Sequence, residues 1–277
     1  MTTERVKLGI TLPSFQDDPE RALTVARTAD VAGLDGVFAF DHLFRETAAG
    51  ARRPALECTT LLGAVAAETA TVALGPLVAR ATLRPPATLA TALDTVARIA
   101  AGRLVVTLGA GDALSEVENV SFGIGPLDEE RRIEALDHAV AATHGRGYPT
   151  WVGGTSYAVR LLAAARADGW NRWGGDAPRF ERELRTVREH LEVARPRFTV
   201  SWAGLAVLGS DDAAAERKRA RLDPAPGVLV GGPERIAEAV AGYRDAGADW
   251  VVLGPIDSSD ADNAAVLGER IAPLLAE

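Results

Sequence analysis

Residues 29–40 read ADVAGLDGVFAF, and the break in the middle of this stretch decides the fold. An amphipathic run ends at Ala32-Gly33 and an apolar run follows at once. Glycine closes a helix because, without a Cβ, it enters the left-handed region with no clash. The same junction recurs at Ala101-Gly102 before RLVVTLG and at Ala246-Gly247 before ADWVVLG, with a variant, Ala167-Asp168-Gly169, before WNRW. Continuous apolar runs of this kind read as strands covered on both faces, the condition of parallel strands between helices. Helices alternating with such strands mean repeated βα units.

Counting outward from this junction gives eight strands. They are expected near Lys7–Leu12, Gly36–Phe40, Val72–Val78, Leu104–Leu108, Thr150–Val152, Gly169–Asn171, Val200–Val207 and Trp250–Leu253. Helix starts are marked by proline at the first position: Pro19 after Asp18, then Pro86, then Pro233. Eight units favour a closed (β/α)8 TIM barrel over an open sheet. The 277 residues fit one such domain, spanning 1–277, since these barrels run to about 250 residues. Arg45–Pro54 and Asp112–Leu127 are the longest irregular stretches, and both follow strands at the rim where long loops usually serve function.

Composition narrows the partners. The formal charge of −8 argues against nucleic acid or an anionic membrane. A single cysteine, Cys58, allows no internal disulfide. The N-terminus MTTERVKLGITLP is too polar for a signal peptide, and no apolar run is long enough to span a bilayer. A cytoplasmic protein acting on a small molecule is expected.

A barrel gathers the residues after each strand at one rim. Asp41-His42 follows the second strand, and a histidine titrating near neutrality is the usual proton shuttle; the alternative is a loop cap with a solvated histidine. Gly153-Gly154-Thr155-Ser156 leads into the helix YAVRLLAAARA, so free N–H groups and a positive dipole end could hold a phosphate; the alternative is an ordinary capped turn. GAGDALSE is not a dinucleotide fingerprint, because Leu114 stands where the third glycine belongs. Asp112 within it is either a rim carboxylate or a turn residue. His138, His144 and His190 form no metal-binding spacing, so no metal is expected. The five tryptophans read as barrel filling, and Arg52, Arg53, Arg80 and Arg84 as surface charges, the alternative being that one or two of these arginines meet an acidic ligand. A Schiff-base lyase is disfavoured, because the lysines, Lys7 and Lys218, stand at no strand end.

Four segments together resemble the bacterial luciferase-like monooxygenase superfamily, and its coenzyme F420-dependent branch most closely. They are FAFDHLF at 38–44, the run VALGPLVARATLRPPATLATALDTVARIAAGRLVVTLGAG at 72–111, GDALSEVENVSFGIG at 111–125, and PTWVGGTSYAVRLLAAARADGWN at 149–171. The resemblance implies that Asp41 bonds the deazaflavin ring and that His42 gives or takes a proton beside its reactive carbon. It implies a non-proline cis peptide at Leu77-Val78, bulging behind the ring, and a coenzyme phosphate held by Gly153, Gly154 and Thr155. Asp112 and Ser115 stand where sugar-phosphate dehydrogenases of the branch carry Glu and Asn, so Asp112 is a candidate second acid and Ser115 a candidate coenzyme contact. The insertions of longer relatives are compact here. Relatives often form dimers, so a homodimer is one implied state. The expected activity is hydride transfer between C5 of F420 and a small organic substrate. The alternatives are an FMN-dependent monooxygenase on the same barrel and a non-catalytic flavin- or F420-binding protein.

Overall fold

The computed structural model describes residues 5–46, 50–112, 115–191, 197–222 and 226–276. Eight parallel strands form the barrel: β1 (Lys7–Thr11), β2 (Gly36–Ala39), β3 (Ala73–Arg80), β4 (Val106–Gly109), β5 (Thr150–Gly153), β6 (Gly169–Trp173), β7 (Thr199–Leu208) and β8 (Trp250–Pro255). Each pairs with the next, and Gly9 lies opposite Val252 where β8 meets β1, so the sheet closes. The helices that position the site are α1 (Pro19–Val31), α2 (Cys58–Glu68), α3 (Pro86–Ala100), α4 (Glu116–Ser121), α5 (Glu129–Thr143) and α6 (Tyr157–Arg166). Among the described residues no helix is long and apolar enough to cross a membrane.

The helix-ending glycines behave as their sequence context predicts: Gly33 has φ +74° and Gly247 has φ +104°, both left-handed. The variant junction differs. Gly169 opens β6, and a Cβ there would come within 2.6 Å of Trp151 Cδ1, so this glycine serves close packing and not a turn. The chain also starts its helices as expected: the Asp18 carboxylate accepts from the Glu20 N–H at 3.1 Å with Pro19 following. Asp30, near the end of α1, ties that helix to the entry of β3. Its carboxylate accepts from the N–H groups of Ala70, Thr71 and Val72 and from the Thr71 hydroxyl.

Two apolar cores result. The larger lies between strands and helices. The smaller fills the barrel itself with Phe38, Leu77, Trp151, Trp250 and Val252. Rings pack edge to face there, with Phe38 5.8 Å and Trp151 5.9 Å from Trp250, an arrangement favoured by the aromatic quadrupole. Small residues make the room: a Cβ on Gly36 would sit 2.9 Å from Trp250 Cζ3. Pairing large with small residues in this way is how narrow barrels are filled.

The two stretches read as irregular both carry structure. Phe44–Glu46 and Arg52–Pro54 form a short antiparallel hairpin, and α4 occupies the segment after β4. The peptide between Leu77 and Val78 is cis. At that point β3 slips against β4, with Leu77 opposite Thr107 but Ala79 opposite Leu108.

Candidate active site

The carboxyl ends of the strands open into a cavity of about 1250 Å³. It is lined by Asp41, His42, Leu77, Val78, Asp112, Ser115, Gly153, Gly154 and Thr155, so the folded chain brings every sequence-selected residue to one place. Ligand pockets usually measure about 300–1,000 Å³, so a coenzyme and a small substrate fit here together.

His42 sits just beyond β2, with one third of its side chain exposed. Its Nδ1 lies 2.9 Å from Glu118 Oε2. Glu118 comes from α4 and is buried. Its other oxygen accepts the Leu43 N–H and pairs with the Arg80 guanidinium at 2.8 Å. Burial alone would push the Glu118 carboxyl upward. The bond to His42, the Leu43 N–H and the Arg80 charge outweigh that and hold it below the ordinary range. An ionised Glu118 therefore accepts the Nδ1 proton, which leaves Nε2 as the nitrogen available to a ligand.

Asp41 has a completely buried side chain and is held from behind. Arg84 grips it bidentately at 2.7 and 2.9 Å, and the Arg80 N–H donates to it at 2.9 Å. Arg84 also reaches Glu57, the residue that caps α2. Burial would weaken the Arg84 charge, but Asp41 and Glu57 raise its pKa further above the ordinary value. The Arg80 Nε donates to the Asp41 carbonyl at 2.9 Å. Arg80 and Arg84 are thus not the surface charges that their sequence context suggests. Arg80 ends β3 and Arg84 lies four residues beyond it, both directed toward the carboxylates of Asp41, Glu57 and Glu118; these outweigh desolvation at Arg84, whereas burial still lowers the pKa of Arg80. Arg52 and Arg53 are exposed, as read.

Two glycines make room for Val78 on the cavity floor. Val78 lies across them: a Cβ on Gly109 would collide with its side chain, and one on Gly153 would come within 2.5 Å. Gly154 has φ +149° and donates to the Asn171 carbonyl at 3.1 Å. The chain then enters α6, whose first turn has N–H groups with no partner inside the helix. Ser156 caps it through the Val159 N–H at 3.4 Å. Arg160 donates to the Thr155 carbonyl at 2.9 Å and places a cation beside the turn. Asp112 closes the turn into α4: its Oδ1 accepts from both the N–H and the hydroxyl of Ser115 at 3.0 Å. Residues 113 and 114 lie outside the described residues.

Part of the cavity wall is aromatic. Phe15 stacks 6.0 Å from Phe40 and 5.3 Å from His42, and Phe40 meets Trp173 edge-on at 5.4 Å. Four tryptophans fill the protein interior as expected, but Trp173 is 38% exposed and lines the cavity. Glu118, Arg80, Arg84, Phe15 and Trp173 are the site residues that sequence reasoning passed over.

A family model described as luciferase-like monooxygenase matches residues 2–145 and 135–226, so the chain belongs to that family. A curated relative from Nakamurella multipartita, an F420-dependent glucose-6-phosphate dehydrogenase, is 28% identical over 227 residues, covering 72% of this chain and 66% of that protein. The other curated relatives are covered over 33% to 46% of their length. An F420-dependent secondary alcohol dehydrogenase in complex with an F420-acetone adduct superposes with a TM-score of 0.79 at 15% identity, over 99% of this chain and 100% of that one. The oxygenating constituent of 3,6-diketocamphane monooxygenase from Pseudomonas putida, in complex with FMN, gives 0.76 at 13% identity, over 98% and 99%. These superpositions establish the barrel fold.

Proposed function

We propose that this chain is an F420-dependent oxidoreductase that moves a hydride between the coenzyme and a small organic substrate. The observation carrying the reading is the clamped pair His42–Glu118, with Nδ1 engaged at 2.9 Å, in the same cavity as the Leu77-Val78 bulge and the Gly153–Thr155 turn. The four segments of sequence resemblance and the F420-dependent curated relative point the same way.

The residues present suit such a coenzyme. Gly109 and Gly153 leave room for the Val78 side chain to lie down on the cavity floor, and that apolar floor would accept a planar ring. The opening turn of α6, reinforced by Arg160, would accept a phosphodiester. When bound, F420 supplies a carbon-centred hydride carrier at C5 of its deazaflavin. The protein orients the partners and manages the proton. With Glu118 holding Nδ1–H, neutral His42 takes a proton from an alcohol at Nε2. In the reverse direction the imidazolium returns it to a carbonyl oxygen. Asp41, which the family resemblance implies bonds the deazaflavin ring and which lines the cavity, also fixes the backbone that presents His42 through its bonds with Arg84 and Arg80. Asp112 keeps one carboxylate oxygen outside its bonds to Ser115 and remains the candidate second acid.

Titration of the purified protein with F420 and with FMN, followed by coenzyme fluorescence, tests the reading. Micromolar or tighter F420 binding with weaker FMN binding is expected. A preference for FMN would overturn it in favour of a flavin monooxygenase, and tight F420 binding without turnover on any substrate would favour a carrier.

A further inference from the structure

We propose that the substrate side of this cavity receives an uncharged apolar carbonyl compound or its alcohol, aromatic or alicyclic in shape, and not a sugar phosphate. The proposal rests on the F420 reading for its chemistry but on the protein wall alone for its selectivity.

The first observation is apolar surface left open at the mouth. Trp173 and Leu205 are 38% and 37% exposed, although both belong to barrel strands whose other residues are mostly buried. They join Phe15, Phe40 and Ile256 in lining the cavity. Large apolar side chains gathered at a concave opening mark a place that a ligand covers.

The second observation is charge. Among the described lining residues there are three guanidiniums, on Arg45, Arg80 and Arg132. Arg80 is already held by Asp41, Glu118 and Asn119. Arg132 donates to the Leu127 carbonyl at 2.6 Å, and Arg45 lies over the Phe15 ring at 5.4 Å. Five carboxylates line the same cavity, those of Glu46 and Glu129 standing beyond Asp41, Asp112 and Glu118. Lys218 is committed to Asp257 at 2.5 Å. The coenzyme phosphate has its helix terminus. A second, dianionic phosphate would meet five carboxylates against three guanidiniums, at a cost in desolvation and repulsion that Arg45 and Arg132 only partly offset.

The aromatic wall begins at His42, whose ring centroid is 5.3 Å from that of Phe15. A substrate ring lying on Phe15 and Phe40 therefore brings its oxygen to Nε2. In reduction, the carbonyl carbon accepts a hydride with its electron pair from the reduced coenzyme. The carbon–oxygen π pair moves to oxygen, and oxygen takes the His42 proton, leaving an alcohol and the oxidised coenzyme.

Calorimetric titration of acetophenone and of glucose 6-phosphate, into both the free protein and the F420-loaded protein, tests this. Acetophenone should bind at least tenfold more tightly than glucose 6-phosphate. Phe40→Ala should weaken acetophenone about tenfold while the F420 dissociation constant moves less than twofold, a result that also shows the variant is folded. Leu205→Lys should reverse the preference by placing a cation on the wall. Tighter binding of glucose 6-phosphate to the wild type, or acetophenone binding indifferent to both substitutions, would overturn the proposal. If F420 fails to bind while free protein still takes acetophenone through Phe40, the coenzyme reading falls and this inference stands.

Discussion

Replacing Arg84 with methionine isolates the charge cluster behind His42. The Asp41 side chain is fully buried and holds Arg84 through two short bonds, 2.7 and 2.9 Å, plus one from the Arg80 N–H. Deleting one partner of a buried ion pair costs about 3–5 kcal/mol, because the other charge stays desolvated. One donor survives here, so the lower end applies, about 3 kcal/mol. Unfolding entropy scales at about 2.1 cal/mol/K per residue. For 277 residues that is about 0.6 kcal/mol/K, and the expected fall in Tm is about 5 °C. Asp41→Asn should cost less, about 1–2 kcal/mol, because Arg84 keeps Glu57. The double variant should lose clearly less than the sum of the two, as coupled neighbours do. Scanning calorimetry of the four proteins at neutral pH measures all three quantities. An Arg84→Met protein melting within 1 °C of wild type (a shift of about 0.6 kcal/mol), or strictly additive losses, would refute the account of Asp41 as a charge held from behind.

The site yields three further expectations. His42→Ala should lower steady-state turnover about 100-fold with little change in coenzyme affinity, and unaltered turnover would remove its proton role. Glu118→Gln should cut kcat about tenfold by weakening a charge-assisted bond while leaving KM and the F420 dissociation constant near wild type; a loss confined to KM would mean that Glu118 shapes the pocket and does not orient the imidazole. Gly154→Ala should weaken coenzyme binding by tenfold or more, since φ is +149° and the new Cβ would lie 2.8 Å from Val159 Cγ1; equal binding would show that the turn does not hold the phosphate. Away from the site, partial burial acts to raise the Asp30 carboxyl, but the bonds from Thr71, Ala70 and Val72 bring its pKa down to about 2. A depressed folded value means that the stabilisation is complete above the unfolded pKa of about 3.9 and is lost as pH falls through about 2. Discounted for solvent screening it is about 1 kcal/mol, so Asp30→Asn should lower Tm at pH 7 and match wild type near pH 2; an equal deficit at both pH values would contradict this.

The barrel was legible because its signal is local and repeated. Each helix end, left-handed glycine and apolar run lies within a dozen residues, as at 29–40, and all eight expected strands are present. The site was legible only where strand ends carry chemical groups. Glu118 is invisible in the sequence because it meets His42 across 76 residues of separation from a short helix inside a stretch that looks irregular. Arg80 and Arg84 misled for a related reason. An arginine after a strand is ordinarily solvated, and its burial here depends on three carboxylates from other segments arriving at the same point. A cue did exist: ARATLR sets two guanidiniums at the rim that also receives Asp41. The exposure of Trp173 could not be read at all, since a tryptophan ending a strand looks the same whether it faces core or solvent.

The ring cluster of Phe38, Trp151 and Trp250, seated on Gly9 and Gly36, acts as a stopper in the lower storey of the barrel. Among the described residues the cavity opens at the carboxyl ends of the strands, so a coenzyme and a substrate bound there would share that doorway. It also separates two kinds of inheritance: changes below the stopper bear on how firmly the protein holds together, while changes above it bear also on what the protein acts upon.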